Sequence, residues 1–438
     1  MKRTVVLLFA IFAVLFAGTV NQTVDITPDQ VALRRSGNYD VVELTSGFFI
    51  PNPGKPLLPY TSLTLLIPAD ARVTAVSAQP VVTEQLPGSF TIFPAPPPVP
   101  ISAQTPANFV APDPEIYSSN NPFPNRTLFS HSTGSAAGFK LVNVIICPFE
   151  YHPATQKLSL HTRIEVVVFY EDHGSTPLTL TQSQRDRIIL SLRQLISNPA
   201  DLNRFAPPLK EIDQPAVDYL IITSAELSSS FTPYIQYKTS RGLKTELRTV
   251  EWVANNYPGR DLPEKIRNLI IDYFHSRGLS YVLLAGDNLQ VPARRIEVAV
   301  GNERGSIPTH LYYGDLDYSW DSNHNNRFGE MADSVDLYAD VFVGRASLDS
   351  RQQVENFIAK VQTFENNPAP DYIMKSLLPS GWLWRSLNYH GKFVNDSIAE
   401  ITPPDWTDRK MENPPSALVV ADSFDRGFLI FNPAGHGN

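Results

Sequence analysis

A chain of 438 residues and 48.8 kDa is long enough for two or three domains, each with its own core, which excludes a short peptide scaffold. At 42% hydrophobic, 11% aromatic and 18% charged residues it falls in the globular range and outside the disordered one. The net charge of -8, with no run of Lys or Arg longer than two residues, leaves no basic face for neutralising phosphates and argues against nucleic acid as a partner.

Met1-Lys2-Arg3, the apolar run from Val5 to Ala17 and the small residues Gly18 and Thr19 read as a secretory signal peptide over residues 1–20. The run is short for a bilayer span and no later segment could supply one. After cleavage no stable membrane span is expected, and the chain is placed outside the cell or on its surface; an uncleaved anchor is the competing reading. Cys147 is the only cysteine, so no intramolecular disulfide can form. Its apolar neighbours Val144, Ile145 and Ile146 mark a buried structural thiol rather than a reactive one.

Residues 21–175 carry short runs rich in Val, Ile, Leu and Thr: 40–44, 62–67, 72–78, 139–147 and 158–170. A β-sandwich is the expected fold, with the last two runs paired as a hairpin across His152-Pro153-Ala154-Thr155. The proline-dense stretch from Pro51 to Pro124, including Pro96-Pro97-Pro98, lacks ladder donors and must contain irregular or edge segments. Residues 176–216 read as a helical connector, with Ile188, Ile189, Leu192, Leu195 and Ile196 at helical spacing, and then an exposed linker. Arg204, Pro207-Pro208, Lys210 and Pro215 make that linker a site for proteolytic cutting.

From 217 the pattern turns α/β. Apolar strands at 219–223, 243–250 and 281–285 alternate with helices over 227–241 and 263–277, each helix ending at a glycine, Gly242 and Gly278. Strands without polar alternation imply a mainly parallel sheet covered on both faces, with sites at the carboxyl ends of its strands, where Gly286-Asp287 falls.

Tyr219 to Thr223, Tyr237-Lys238 to Gly242-Leu243, Leu283 to Asp287, Leu311 to Asp317, Val341 to Arg345 and Gly435-His436-Gly437 together resemble the gingipain-type cysteine peptidases of the caspase-like clan. Pro56 to Pro59 and Ile67-Pro68-Ala69 resemble that family's β-sandwich propeptide. The resemblance implies a multidomain chain: an all-β prodomain, then an α/β caspase-like domain, with a first subdomain over 217–368 and the start of a second over 369–438. It implies a peptide-hydrolysing cysteine–histidine dyad in which His436, just past the apolar strand 428–431, is the base that activates a thiol. No cysteine follows His436, so the chain is expected to be a precursor fragment ending just after the histidine motif, with its fold incomplete at the C-terminus. The acid that relatives place near Trp382 is missing, leaving Asp396 or a backbone carbonyl to orient the imidazole, and His390 reads as a surface residue.

Seven carboxylates lie between Asp315 and Asp340 against one Arg327. Oxygen clusters of this kind suit hard cations, and Asp315, Asp317, Asp321, Asn323 and Glu330 are the candidate ligands of a structural Ca2+, in keeping with the family. The run is not an EF-hand, since the twelfth position from Asp321 is Ala332, and a solvated acidic loop is the alternative. His310 stands where relatives have an acid. Zinc, nucleotide and serine-hydrolase motifs are absent. Asn21, Asn125 and Asn395 begin acceptor triplets for N-glycosylation.

The expected function is that of a secreted cysteine-type endopeptidase precursor acting on protein or peptide substrates. The alternative is a catalytically inactive binding or secretion-associated protein on the same fold. Processing of other exported proteins, which some relatives perform, is a third.

Overall fold

The computed structural model describes residues 17–97, 109–174, 176–300, 303–333, 335–384, 389–413 and 416–435. Two antiparallel sheets form the N-terminal sandwich. One has Lys157–Asp172 at its centre, flanked by Ala17–Asp25 and Ala71–Gln85, with Phe149–His152 also paired to it. The other runs in the order Phe48–Phe49, Pro59–Ile67, Phe139–Ile146, Leu128–Ala136. Alternation does the sorting: Ile164, Val166 and Val168 point inward while Arg163 and Glu165 point out. A register shift between His161 and Ile164 changes the phase, so His161 is buried with Nδ1 2.8 Å from Thr83 Oγ1 although it stands at an odd position like the outward Arg163 and Glu165.

One expectation changes here. The hairpin across residues 153–155 joins Phe149–His152 to Lys157–Asp172, whereas Phe139–Ile146 belongs to the opposite sheet. Pro148 has no N–H for a ladder, and the strand leaves one sheet for the other at that point. The expected leader boundary at 20 falls inside the strand Ala17–Asp25, which pairs along its length with residues 163–171 and buries Val20. Residues 1–16 lie outside the described residues.

Cys147 is fully buried at the turn after Phe139–Ile146, with Sγ 3.6 Å from the Phe149 carbonyl oxygen and 3.7 Å from that of Pro59. Burial pushes its thiol up to about 12. An iodoacetamide probe at pH 8 is therefore expected to leave the native chain unlabelled and to label it only after denaturation. Rapid native labelling would contradict this burial.

The connector helix Gln182–Leu195 opens with a capping box between Thr181 and Gln184. It is built into both neighbours. Gln184 Nε2 donates to the carbonyls of Phe274 and Leu279, each at 3.0 Å, and Arg187 Nη1 lies 2.8 Å from Asp218 Oδ1. On the sandwich side, Asn198 accepts from the Leu66 amide at 2.8 Å and donates to the Leu66 carbonyl at 2.9 Å. Leu202, Phe205 and Pro207 are buried, so the linker expected to be exposed is so only at positions such as Arg204, Pro208, Leu209 and 213–215.

Four parallel strands follow in the order Thr245–Thr249, Tyr219–Thr223, Tyr281–Ala285, Phe342–Ala346. Leu220, Ile222, Val282 and Leu284 pack with the helix Leu262–Arg277; Ile221, Leu283 and Ala285 share a second cluster with Phe231, Tyr234, Val354 and Ile358. Both faces are buried, which is why the strands read as unbroken apolar runs. The first of these clusters continues without a break into the sandwich through Ile188, Leu202, Leu66 and Phe139. A second parallel sheet orders Thr407–Glu412, Lys375–Ser380 and Ile430–Phe431. Among the described residues no helix is long and apolar enough to cross a membrane.

Candidate functional site

Two places carry chemistry. The first is the carboxyl end of the second sheet. The Ala434 amide donates to the Pro379 carbonyl at 2.9 Å, and Gly381 N donates to the Ala434 carbonyl at 2.9 Å. Asn395, on the helix Lys392–Ile401, is buried; its Nδ2 donates to the Pro379 carbonyl at 3.0 Å and its Oδ1 accepts from Asn432 Nδ2 at 2.9 Å. These bonds fix the segment up to Gly435, and His436 lies outside the described residues. Asn395 is thus a buried brace, closed to glycosylation in the folded chain. Gly391 is required here, because a Cβ would meet the Ala434 carbonyl oxygen at 2.0 Å.

His390 is buried rather than on the surface. Its Nδ1 accepts from the Lys392 amide at 3.0 Å, its Nε2 lies 3.0 Å from Asn413 Oδ1, and its ring meets Trp382 edge-on at 4.9 Å. Asp396 is engaged by Lys410 Nζ at 2.7 Å.

The second place is acidic. One carboxylate oxygen from each of Asp315, Asp317 and Asp340 lies within 4.8 Å of the other two. That is the span of oxygens each about 2.4 Å from one ion, the distance Ca2+ favours. Asp315 is completely buried and neither of its oxygens has a hydrogen-bond partner, an arrangement expected to cost several kcal/mol unless a cation or proton joins it. Burial, then the charges of Asp336 and Asp317, push its carboxyl up to about 7. Asp317 is raised too, by desolvation of its carboxyl first and the charge of Asp336 next, and Asp340 by burial first and the charge of Asp317 next. Asp317 is the exposed residue of the three, so the cluster borders water there although its carboxyl is itself desolvated by its neighbours. An all-carboxylate donor set with one orphaned, fully buried member fits a hard divalent ion.

The loop is set by Arg267 of the helix Leu262–Arg277. Its Nε donates to the Tyr312 carbonyl at 2.9 Å, and its Nη2 donates to the Asp315 carbonyl at 2.7 Å and the Tyr318 carbonyl at 2.8 Å. Its guanidinium also lies over the Tyr312 ring.

Of the five ligands expected from sequence, Asp315 and Asp317 come together, and Asp321, Asn323 and Glu330 do not join them. Asp321 pairs with Arg260, whose contact holds its carboxyl low. Asn323 caps the Asn325 amide at 3.0 Å, and Glu330 accepts from Asn325 Nδ2 at 2.6 Å beside Arg327. Asp340 takes their place, with Asp336 beside the group acting on Asp315 and Asp317 through its charge; both lie beyond the Asn-rich loop and reach the cluster only because the chain doubles back into the strand Phe342–Ala346. His310 accepts from Arg345 Nε at 2.7 Å and is no ligand.

Residues 212–438 match the model of peptidase family C25, and residues 23–194 match the propeptide of C25. The chain belongs to peptidase family C25, with a C25 propeptide ahead of the peptidase domain. It is 22% identical over 335 residues to Gingipain R2 of Porphyromonas gingivalis, covering 76% of this chain and 41% of that protein. Against Gingipain R1 of Porphyromonas gingivalis the identity is 21% over 226 residues, 51% of this chain and 20% of that one. The chain thus spans less than half of these relatives. Among solved structures, it is similar to the complex of Porphyromonas gingivalis RgpB pro- and mature domains (TM-score 0.33, 19% identity, 42% of this chain and 92% of that one). For the Arg-specific cysteine proteinase gingipain R the TM-score is 0.38 at 19% identity, over 52% of this chain and 48% of that one.

Proposed function

We propose that this chain is an exported cysteine-type endopeptidase precursor with a caspase-like peptidase domain, in which His436 is the general base and acid and the nucleophilic cysteine lies outside residues 1–438. The observation that carries this reading is the pair of C25 matches, propeptide then peptidase, in one chain. Cys147 cannot serve, because it is buried in the sandwich with its thiol pushed up to about 12. His436 follows a segment held at the carboxyl end of a parallel strand, where α/β sheets carry their sites. The imidazole would take the thiol proton during attack and return it to the leaving amine. Substrates are proteins or peptides. Ca2+ held by Asp315, Asp317 and Asp340 would neutralise the loop's charge and take no part in the reaction.

The test is made on the whole gene product. Peptide hydrolysis and labelling by an iodoacetamide probe are expected, and His436→Ala should lower the hydrolytic rate by roughly 10³-fold or more. Hydrolysis unchanged by that substitution would remove His436 from the chemistry. A second reading, a catalytically silent binding module, is favoured by the engagement of Asp396 with Lys410 and the absence of an acid at Trp382. A whole gene product that cleaves no peptide and carries no probe would establish it.

A further inference from the structure

The acidic cluster is not buried within the peptidase domain. It sits against the sandwich, at the turn between Leu128–Ala136 and Phe139–Ile146. Asp336 Oδ2 accepts from the Ser135 amide at 2.6 Å while its Oδ1 accepts from the Tyr338 amide at 2.9 Å. Asp340 Oδ1 accepts from the Ala137 amide at 2.6 Å while its Oδ2 accepts from Leu316 N at 2.6 Å. Asp340 therefore serves two bodies at once: it belongs to the three-carboxylate group and it grips the sandwich. The approach is close enough to demand glycine, since a Cβ at Gly134 would meet Tyr338 Cδ2 at 2.5 Å and Asp336 Oδ2 at 2.9 Å. Ala136 and Ala137 are buried in this seam.

We infer that the Asp315–Asp317–Asp340 group is an interdomain clasp, in which a bound divalent cation fastens the sandwich turn 134–138 to the peptidase domain. This rests on the calcium reading above and adds to it a regulatory consequence. The physical reason is charge. Four carboxylates, those of Asp315, Asp317, Asp336 and Asp340, face one another with Lys140 from the sandwich and Arg267 from the peptidase domain as the cations acting on them. Without an ion, repulsion drives the 336–340 segment away from 315–317 and carries off the two acceptors that hold Ser135 and Ala137. With an ion, the carboxylates are drawn into the one geometry in which Asp336 and Asp340 meet those amides. Because coupling is reciprocal, whatever loosens the seam weakens the ion by the same factor.

The experiment uses the full 438-residue chain in CaCl2 and in EGTA, with calcium affinity from calorimetry and amide hydrogen exchange by mass spectrometry. Calcium is expected to bind and to slow exchange at 134–138 by about tenfold, leaving the strand Phe149–His152, in the separate core around Tyr151, unchanged. Binding without any change at 134–138 would overturn the clasp and spare the calcium site. Absence of binding would overturn both. Gly134→Val, which wedges the seam, should weaken calcium about tenfold. Should that variant fail to fold, Ser135→Pro removes both sandwich donors of that residue, the amide that faces Asp336 and the hydroxyl that bonds Asp317, on a strand that pairs on one side alone, and the same loss is expected. Calcium affinity unmoved in a folded variant would also sink the clasp.

Discussion

Replacing Arg267 by Met is expected to lower the stability of the chain by roughly 3–5 kcal/mol and to weaken calcium by about tenfold. One guanidinium satisfies the carbonyls of Tyr312, in the 3-10 turn Leu311–Tyr313, and of Asp315 and Tyr318 in the loop that follows it. Methionine keeps much of the volume and none of the donors, so three carbonyls lose charge-assisted partners worth about 1.5–3 kcal/mol each, part of which water recovers at this half-buried position. Arg267→Lys should rescue little, because an ammonium cannot span three acceptors as a planar fork does. Chemical denaturation in EGTA measures the first effect and calorimetry the second. A Met variant with unaltered calcium affinity would mean that the loop holds Asp315 in place without Arg267.

Asp315→Asn is expected to act in the opposite direction. In EGTA at pH 8 the variant should be more stable than the parent by on the order of 2 kcal/mol, since the amide can donate to Asp317 or Asp340 where the carboxylate only repels them. The pH dependence has a definite sign. The folded-state pKa of Asp315, about 7, lies above its ordinary value of 3.8, so the folded chain holds this proton more tightly than the unfolded chain does. Its contribution is complete below about pH 4 and is lost as pH rises through 7. The metal-free parent should therefore lose stability between pH 4 and 7, and the variant should lack that part of the slope. Calcium should reverse the ranking, stabilising the parent and not the variant. A variant less stable than the parent in EGTA at pH 8 would show that the Asp315 carboxylate is satisfied in some other way.

The clasp changes how the N-terminal region is understood. A cuttable linker alone would leave the sandwich attached by whatever else it touches. Here a shared apolar core, Asn198, Gln184, Arg187 and the acidic seam all cross between the two bodies. Release of a propeptide from such a seam needs more than a cut near Arg204.

Local pattern was enough to read the order of elements. The period-2 and period-3.6 spacings, the terminating glycine Gly278 and the unbroken apolar strands at 219–223 and 281–285 are properties of neighbouring residues, and they specify element type and the change from sandwich to α/β sheet. Sequence also determined that one cysteine could not be both core and nucleophile. Pairing partners were another matter. Phe139–Ile146 went to the far sheet because Pro148 breaks the ladder, and no local spacing reveals which sheet receives a strand that turns away. The acidic site shows the same limit. Asp321, Asn323 and Glu330 are spaced like cation ligands, but Arg260, Asn325 and Arg327 engage Asp321 and Glu330, and Asn323 turns back to cap its own loop. Asp340 is 25 residues from Asp315 and touches the sandwich over 200 residues away, at Ala137. Which carboxylates converge is decided by where the chain doubles back and by which counter-charges the packing brings within reach, and tertiary structure alone supplies both.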